Sequence, residues 1–313
     1  MCSNSDIDSA AARTLISQQQ VDLMFCLGGH DLEMVEIARF LNDFSPNTVV
    51  HDHDLPWGAR ASNYQNQIEA ALDKGLIPVL VELENDLALD EVSADGLLDQ
   101  RGIILIDHHN ERAGKDAHTS LEQVIDLVNI SRDKLPARRR RWLELVSAND
   151  RGHTHAMKML NPPASLDEML TIRTADRRAQ RVTDYEEQQA VEAAKDAETI
   201  SNGSLTIVRL PHSRTSPVVD FFEESLGGPG YRNLLIECPE SLHVFGTGHV
   251  IKMLLHHFPR DRYPHSWSGG NLPDHGFWGS TSGIEKYSTF FKNVRDMVEN
   301  AAHDEQERPT GAT

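Results

Sequence analysis

Short apolar runs recur along the first half of the chain, and each one stops at a glycine or at polar residues. Such runs are typical of buried strands, whereas apolar positions spaced three or four apart indicate a helix face. Runs at 21–27, 48–50, 76–81 and 102–106 predict strands, and helical spacing lies between the first three of them. Strands that alternate with helices favour a mostly parallel sheet flanked by helices.

The second half begins with a long, charged helical pattern, and shorter strand and helix signals alternate after it. We therefore predict an α/β fold with an N-terminal, mostly parallel sheet flanked by helices and a smaller C-terminal α/β domain. The predicted divisions are a flexible lead at 1–20, an N-terminal domain at 21–163, a helical connector at 164–203, a C-terminal domain at 204–302 and a flexible tail at 303–313.

Asp107, His108 and His109 follow directly after the predicted strand at 102–106. Open α/β sheets bind their ligands at the carboxyl ends of the strands. One carboxylate and two imidazoles suit Mn²⁺, Fe²⁺, Zn²⁺ or Co²⁺ better than Ca²⁺. A polar turn after a buried strand is the alternative interpretation, although packing alone does not explain two adjacent histidines there.

Acidic side chains also follow other predicted elements. Asp31 and Glu33 come after the first predicted strand, Glu82 comes after the third, and Asp150 lies on a predicted helix downstream of His109. An acidic cap at a helix start is the alternative interpretation of the first pair. If the strands are parallel, their carboxyl ends meet at one edge, and these acids are predicted to lie close together.

In this order the motifs resemble those of the DHH phosphoesterase superfamily, which hydrolyses phosphoanhydride or phosphodiester bonds with divalent metals. The resemblance implies a DHH-like metal-binding domain at 21–163 and a substrate-binding domain at 204–302. It implies catalytic roles for Asp107, His108 and His109, and metal ligation by Asp31, Glu33, Glu82, Asp107, His108 and Asp150. Glutamate stands at two positions where the superfamily has aspartate, and His30 lies closer to Asp31 than the superfamily's histidine does.

The resemblance implies a hydrolase of a small nucleotide, oligonucleotide or polyphosphate that uses a metal-activated water. Mn²⁺ is the expected cofactor, and Mg²⁺, Co²⁺, Fe²⁺ and Zn²⁺ are its alternatives. The departures at the two glutamates and at His30 support a second hypothesis, a metal- or nucleotide-binding protein with a degenerate, non-hydrolytic site.

Two further segments are candidates for binding metal or substrate. His30, Asp52, His53 and Asp54 could add a metal ligand or contact the substrate, and Trp57 could stack on a base or sugar; an exposed polar loop is the alternative. In the glycine- and aromatic-rich segment at 266–279, Gly269, Gly270, His275 and Trp278 are predicted to bind substrate through backbone N–H groups and ring stacking. The alternative there is a hydrophobic turn.

Composition narrows the choice of partner. The 313 residues include 30 Lys and Arg against 48 Asp and Glu, a net charge of −18 that would repel duplex nucleic acid. We expect a small phosphorylated substrate and no membrane partner, because no apolar run approaches the ~20 residues of a membrane span. The polar N-terminus lacks the apolar core of a signal peptide, so a cytoplasmic location is expected. A homodimer remains open, and so does the role of four arginines at 138–141.

Overall fold

The computed structural model describes residues 22–56, 58–91, 102–109, 118–263, 265–270, 272, 275–281 and 287–307. The chain divides into two compact units, Met1–Ala164 with Thr174–Gln180 and Ser165–Arg173 with Arg181–Thr313. Each unit has its own sheet flanked by helices, so the predicted α/β fold with a smaller C-terminal domain is confirmed.

In the described part of the N-terminal unit, four parallel strands form a sheet of order β2-β1-β3-β4. The strands are β1 (Leu23–Leu27), β2 (Val49–His51), β3 (Ile77–Val81) and β4 (Ile104–Ile106). All residues of β1 and β3 are buried, as continuous apolar runs predict. The register aligns Leu27 with Val81 and Val81 with Ile106, so the residues that follow these strands meet at one edge.

Two of the four described helices of this unit begin at side-chain caps. The helices are Leu32–Phe44, Gln65–Asp73, Ser120–Leu127 and Ala137–Lys158. Asp31 caps the first of them by accepting a hydrogen bond from the Met34 N–H at 2.9 Å. Thr119 and Glu122 form a reciprocal capping box at the start of the third. These caps fix where the first and third helices begin relative to the sheet edge.

A buried ion pair joins the helix after β1 to the long helix that carries Asp150. Glu36 is fully buried, and its carboxylate accepts a hydrogen bond from Arg139. Arg140 and Arg141 also pair with nearby carboxylates, at 3.8 and 3.0 Å. Three of the four consecutive arginines are therefore engaged within the protein, which favours neither a bare anion-binding patch nor a fully solvated helix start.

The C-terminal unit contains a six-stranded mixed sheet of order β5-β6-β7-β8-β10-β9. Its strands are β5 (Glu198–Ile200), β6 (Leu205–Arg209), β7 (Leu234–Glu237), β8 (Ser241–Thr247), β9 (Ser266–Gly269) and β10 (His275–Thr281). Only β6 and β7 pair in parallel among these described strands. The remaining helices are Leu166–Ala179, Asp184–Lys195, Ser216–Phe222, Gly248–His257 and Tyr287–Glu307. No helix in the described ranges is long and apolar enough to cross a membrane.

Two local expectations are corrected here. The end of the predicted helical connector, Glu198–Ile200, is strand β5, and it pairs with β6 across a turn in which Asn202 adopts a φ of 49°. Most of the glycine- and aromatic-rich segment at 266–279, for which a hydrophobic turn was the alternative, forms the antiparallel strands β9 and β10. Extended backbone is compatible with glycine when neighbouring aromatic rings cover it, and the sequence pattern does not reveal that pairing.

Candidate metal centre

The site is built where β1 and β3 end side by side. A Cβ atom at Gly28 would lie 2.7 Å from the carbonyl oxygen of Glu82 and 2.8 Å from that of Val81, so only glycine permits this approach. The chain then turns into the helix that begins after Asp31. Glu33 lies in the first turn of that helix and is 1% exposed.

Glu82 follows β3 in a left-handed conformation, with a φ of 52° that is uncommon for a residue with a side chain. Its N–H donates to the Ile106 carbonyl at 2.8 Å. Ser120 donates its hydroxyl to Glu82 Oε1 at 2.8 Å, and the Leu121 N–H donates to Glu33 Oε1 at 2.9 Å. The N-terminus of helix Ser120–Leu127 therefore anchors one oxygen of each glutamate.

Carboxylates from three separate segments converge on one imidazole nitrogen. His108 Nε2 lies 2.6 Å from Asp150 Oδ2, 3.3 Å from Glu82 Oε1 and 3.6 Å from Glu33 Oε2. One ligand atom from each of these four residues lies within 4.8 Å of all the others. Helical geometry breaks at Gly152, just beyond Asp150.

The converging atoms fit a cation better than they fit each other. Among the described residues, Glu33 Oε2, His108 Nε2 and Asp150 Oδ2 are buried without a hydrogen-bond partner, and even the 2.6 Å contact lacks hydrogen-bond alignment. Each buried polar atom left unpaired costs about 1–3 kcal/mol. A bound cation would accept the lone pairs that converge on one point, so this donor set fits a divalent metal.

A second group of ligand atoms overlaps the first. Glu82, His108 and His109 also bring one atom each within 4.8 Å of one another. The His108 and His109 ring centroids are 4.2 Å apart, and His109 Nδ1 lies 3.8 Å from Glu82 Oε1. Asp107 Oδ1 accepts the His109 backbone N–H at 2.8 Å and lies 3.0 Å from Nδ1 of the same residue. Asp107 therefore holds the orientation of the His109 ring.

Negative charge exceeds what one imidazole can balance here. Burial raises the pKa of Asp150 to about 8, and the charges of Glu33 and Glu82 add to the effect. Burial also raises the pKa of Glu82, with a further contribution from Glu33. Burial opposes protonation of His108, yet its pKa is raised because the three carboxylates surround it. A divalent cation would relieve this repulsion directly.

The structure brings together four of the six predicted metal ligands, namely Glu33, Glu82, His108 and Asp150. The other two lie outside both groups. Asp31 is buried and uses Oδ1 to cap its helix, and Asp107 uses Oδ1 to hold His109. Metal ligation by Asp31 and Asp107 stays a prediction.

The histidine and aspartate run after β2 forms a separate cluster. His30 Nδ1 lies 3.3 Å from Asp54 Oδ1 and 3.7 Å from Asp52 Oδ1. The ring of His53 packs on Tyr64 with centroids 4.3 Å apart. None of these residues joins the two groups of ligand atoms found in the described ranges. Their role in metal or substrate binding stays a prediction.

The predicted substrate-binding residues have different outcomes. Trp57 lies outside the described residues. Gly269, Gly270 and His275 lie at the end of β9, after it and at the start of β10. Trp278 is 1% exposed and belongs to the hydrophobic core of the C-terminal unit. The prediction that Trp278 contacts substrate is wrong, because its ring faces the helices that cover the sheet.

Two supporting residues were not predicted. Ser120 and Leu121 anchor the glutamates through a hydroxyl and a backbone N–H. The sequence does contain a signal for the helix start, since Thr119 and Glu122 have the spacing of a capping box. It contains none for the docking of that helix start against Glu33 and Glu82.

No protein-family profile matches this sequence, and no curated protein resembles it significantly in sequence. Solved structures do match. RecJ from Thermus thermophilus in complex with Mn²⁺ is 12% identical with a TM-score of 0.50, over 95% of this chain and 54% of that one. The chain shares the fold of RecJ.

Two further matches have lower TM-scores. An exonuclease RecJ bound to manganese is 10% identical over 96% of this chain and 97% of that one, with a TM-score of 0.46. An exopolyphosphatase-related protein from Bacteroides fragilis is 10% identical over 95% and 98%, with a TM-score of 0.48. This chain therefore spans only about half, 54%, of the Thermus RecJ chain. At 12% identity the likeness to RecJ shows a shared fold.

Proposed function

We propose that this chain is a metal-dependent phosphoesterase that hydrolyses a phosphodiester or phosphoanhydride bond. The observation that carries the proposal is the convergence of Glu33, Glu82, His108 and Asp150 at the carboxyl edge of a parallel sheet. Buried, unpaired ligand atoms in that cluster support a cation. The fold of RecJ, whose structure holds Mn²⁺, supports the same class of protein.

Three carboxylates and one imidazole would hold the metal, a donor set that suits Mn²⁺ and also Mg²⁺, Co²⁺, Fe²⁺ or Zn²⁺. A divalent cation bound there would supply a Lewis acid and lower the pKa of a water molecule to near 7. Glu33 and Glu82 are held in place by the helix start at Ser120. The protein therefore contributes an edge on which both glutamates are already positioned.

His109 and Asp107 would act together beside the ligand cluster. Asp107 fixes the His109 ring through Nδ1, at 3.0 Å. The pKa of His109 is raised: burial opposes protonation, but the hydrogen bond to Asp107 and the charge of Glu82 outweigh it. A protonated imidazole next to the cluster suits contact with a phosphate oxygen. We assign this contact to His109 and a positioning role to Asp107.

A small phosphorylated substrate fits the charge of the chain better than a duplex does. The net charge of −18 gives long nucleic acid no general attraction. We propose a nucleotide, short oligonucleotide or polyphosphate as the substrate class. The alternative, a degenerate site that binds metal without hydrolysis, rests on the two glutamates. Metal content and hydrolysis, measured together, distinguish this alternative from a phosphoesterase.

The test combines metal content with hydrolysis in the full-length protein. Bound Mn²⁺ is measured by elemental analysis after dialysis, and release of phosphate or 5′-mononucleotide is followed with tripolyphosphate and a dinucleotide. Asp150→Asn and His108→Gln should each lower activity at least about 100-fold, because loss of an outer-shell partner of a metal ligand already costs about 10–100-fold. Asp133→Asn, which removes a carboxylate whose side chain is 96% exposed, is the matched control.

Each outcome is informative. Metal binding without hydrolysis of either substrate favours a metal-binding protein with a non-hydrolytic site. Failure to bind Mn²⁺ or any of the alternative cations removes the basis for both functions. Equal activity of Asp150→Asn and the wild type contradicts the assignment of the site.

A further inference from the structure

Asp150 differs from the two glutamates of the ligand cluster in how its side chain is held. One oxygen of Glu33 and one of Glu82 accept hydrogen bonds from the start of helix Ser120–Leu127. Asp150 Oδ2, which lies 2.6 Å from His108 Nε2, has no hydrogen-bond partner among the described residues. The position of this carboxylate therefore depends on the backbone of the helix that carries it.

That helix stops being regular two residues after Asp150. Gly152 and His153 have non-helical dihedral angles, with a φ of 50° at His153, so Asp150 and Arg151 lie in the last regular turn. The last turn of a helix frays more easily than its middle, because its carbonyl groups lack helical partners further along the chain. A side-chain contact at this turn would hold Asp150 where the helix does not.

Arg151 makes such a contact. Its Nη2 donates to Glu122 Oε2 at 2.7 Å, which is a charge-assisted hydrogen bond. The same Glu122 oxygen accepts the Thr119 N–H at 3.0 Å and completes the capping box at the start of helix Ser120–Leu127. One carboxylate therefore joins the turn that carries Asp150 to the helix start that holds the two glutamates.

Residues 119–122 form an anchoring segment for the whole cluster. Each of its four residues contacts a different part of the site, and the partners in chain order are Ser147, Glu82, Glu33 and Arg151. Ser147 and Arg151 are four residues apart, so they lie on the same face of their helix. Of these four contacts, the one between Glu122 and Arg151 is made next to Asp150 in the chain.

A partly exposed ion pair contributes little to folding, and this one is no exception. The side chains of Glu122 and Arg151 are 17% and 38% exposed, so we expect only a small effect of the pair on stability. Metal affinity is more sensitive, because groups behind the ligands hold them in the geometry that the cation requires. The two effects can therefore be separated by experiment.

We propose that Glu122 and Arg151 are a positioning pair that holds Asp150 at its distance from the two glutamates and thereby sets the affinity for the cation. Both residues act through the ligands, and neither belongs to the ligand cluster. The proposal rests on one part of the proposed function, the binding of a divalent cation by this cluster. It does not depend on hydrolysis.

The test compares Mn²⁺ affinity, measured by titration calorimetry on the full-length protein, with the midpoint of unfolding in urea. Arg151→Met keeps the length of the side chain and removes the guanidinium. It should weaken Mn²⁺ binding about tenfold, the lower end of the range for loss of an outer-shell partner, and leave the urea midpoint close to that of the wild type. Arg151→Lys restores the charge and should recover most of the affinity, which a role in packing alone does not predict.

Arg132→Met is the matched control. Arg132 Nη1 lies 3.5 Å from the other oxygen of Glu122, and its side chain is 39% exposed. This variant removes the same charge from the same carboxylate and should bind Mn²⁺ as the wild type does. Glu122→Gln keeps an acceptor for the Thr119 N–H, since glutamine also forms a capping box, and should match Arg151→Met. The double variant should be no weaker than either single variant, because both break one contact.

Three results overturn the positioning pair. They are equal Mn²⁺ affinity of Arg151→Met and the wild type, an equal loss in Arg132→Met, and a loss of affinity that appears only together with a lower urea midpoint. Affinity also separates this proposal from the phosphoesterase. A protein that binds Mn²⁺, loses affinity in Arg151→Met and hydrolyses neither substrate retains the pair and removes the enzyme, whereas a wild type that binds no cation removes both.

Discussion

Arg139→Leu is expected to destabilise the N-terminal unit strongly, because it leaves the buried Glu36 carboxylate with too few partners. Glu36 is 0% exposed, and the Arg139 side chain is 18% exposed. The remaining partner, Arg39, has a side chain 56% exposed that reaches the other oxygen of Glu36 at 2.6 Å. Because the carboxylate is far from water, the ion pair with Arg139 falls in the buried class and not in the weak surface class.

The magnitude follows from this burial. Removing one partner of a buried ion pair typically costs about 3–5 kcal/mol of unfolding free energy. Arg39 offsets part of that cost, so we expect a loss of about 3 kcal/mol. Replacing both members, as in Glu36→Leu with Arg139→Leu, should recover most of the loss, since an apolar pair of similar volume leaves no buried charge.

Urea unfolding of the four proteins in this double-mutant cycle measures the coupling energy directly. The same variants should also weaken Mn²⁺ binding, because Glu36 lies one turn beyond Glu33 and the pair joins the helices that carry Glu33 and Asp150. Arg138→Leu, on the exposed side of the same helix, is the control. A loss below about 1 kcal/mol for Arg139→Leu, or no recovery in the double variant, would refute a buried, coupled pair.

Four further changes test the site and its surroundings. Ser120→Ala removes the hydroxyl that anchors Glu82 and should lower Mn²⁺ affinity about 10–100-fold in calorimetry, whereas unchanged affinity would contradict an anchoring role. Glu33→Asp is one methylene shorter and should likewise lose affinity, because one carboxylate can no longer reach both the helix start and the cluster. Gly28→Ala should cost about 1–3 kcal/mol in urea unfolding, since its Cβ would lie 2.7 Å from a carbonyl; a neutral change would mean that the strand ends separate freely. Burial lowers the pKa of His243 to about 4, so the unfolded chain binds a proton more readily than the folded one between about pH 6.5 and 4. The free energy of unfolding should therefore fall as pH falls through this range, by up to about 1.4 kcal/mol per pH unit. His243→Asn should flatten that slope, and an identical slope in the variant would contradict a role for His243.

The sequence predicts the sheet edge well because strand ends are local features. Glu82 and His108 follow apolar runs directly, so the order of the strands alone brings them together. Which side of a helix faces the site depends on contacts with distant residues, so it is not a local feature. Asp31 and Glu33 are two residues apart, and the pattern does not distinguish the one that caps the helix from the one that enters the cluster. The prediction for Trp278 fails for a similar reason, since strand alternation does not reveal which face a helix will cover.

The two glutamates are better explained by a rebuilt site than by a degenerate one. Glu33 uses Oε1 to accept from the Leu121 N–H and directs Oε2 towards His108, so its longer side chain spans an anchor and the cluster at once. Glu82 receives a hydrogen bond from Ser120 on the oxygen that faces His108. The left-handed backbone of Glu82 and the unpaired buried atoms around it both lower the stability of the fold. A site without a function would have no reason to contain them. Their presence together, with helix Ser120–Leu127 positioned to hold both side chains, favours a cluster that binds a cation.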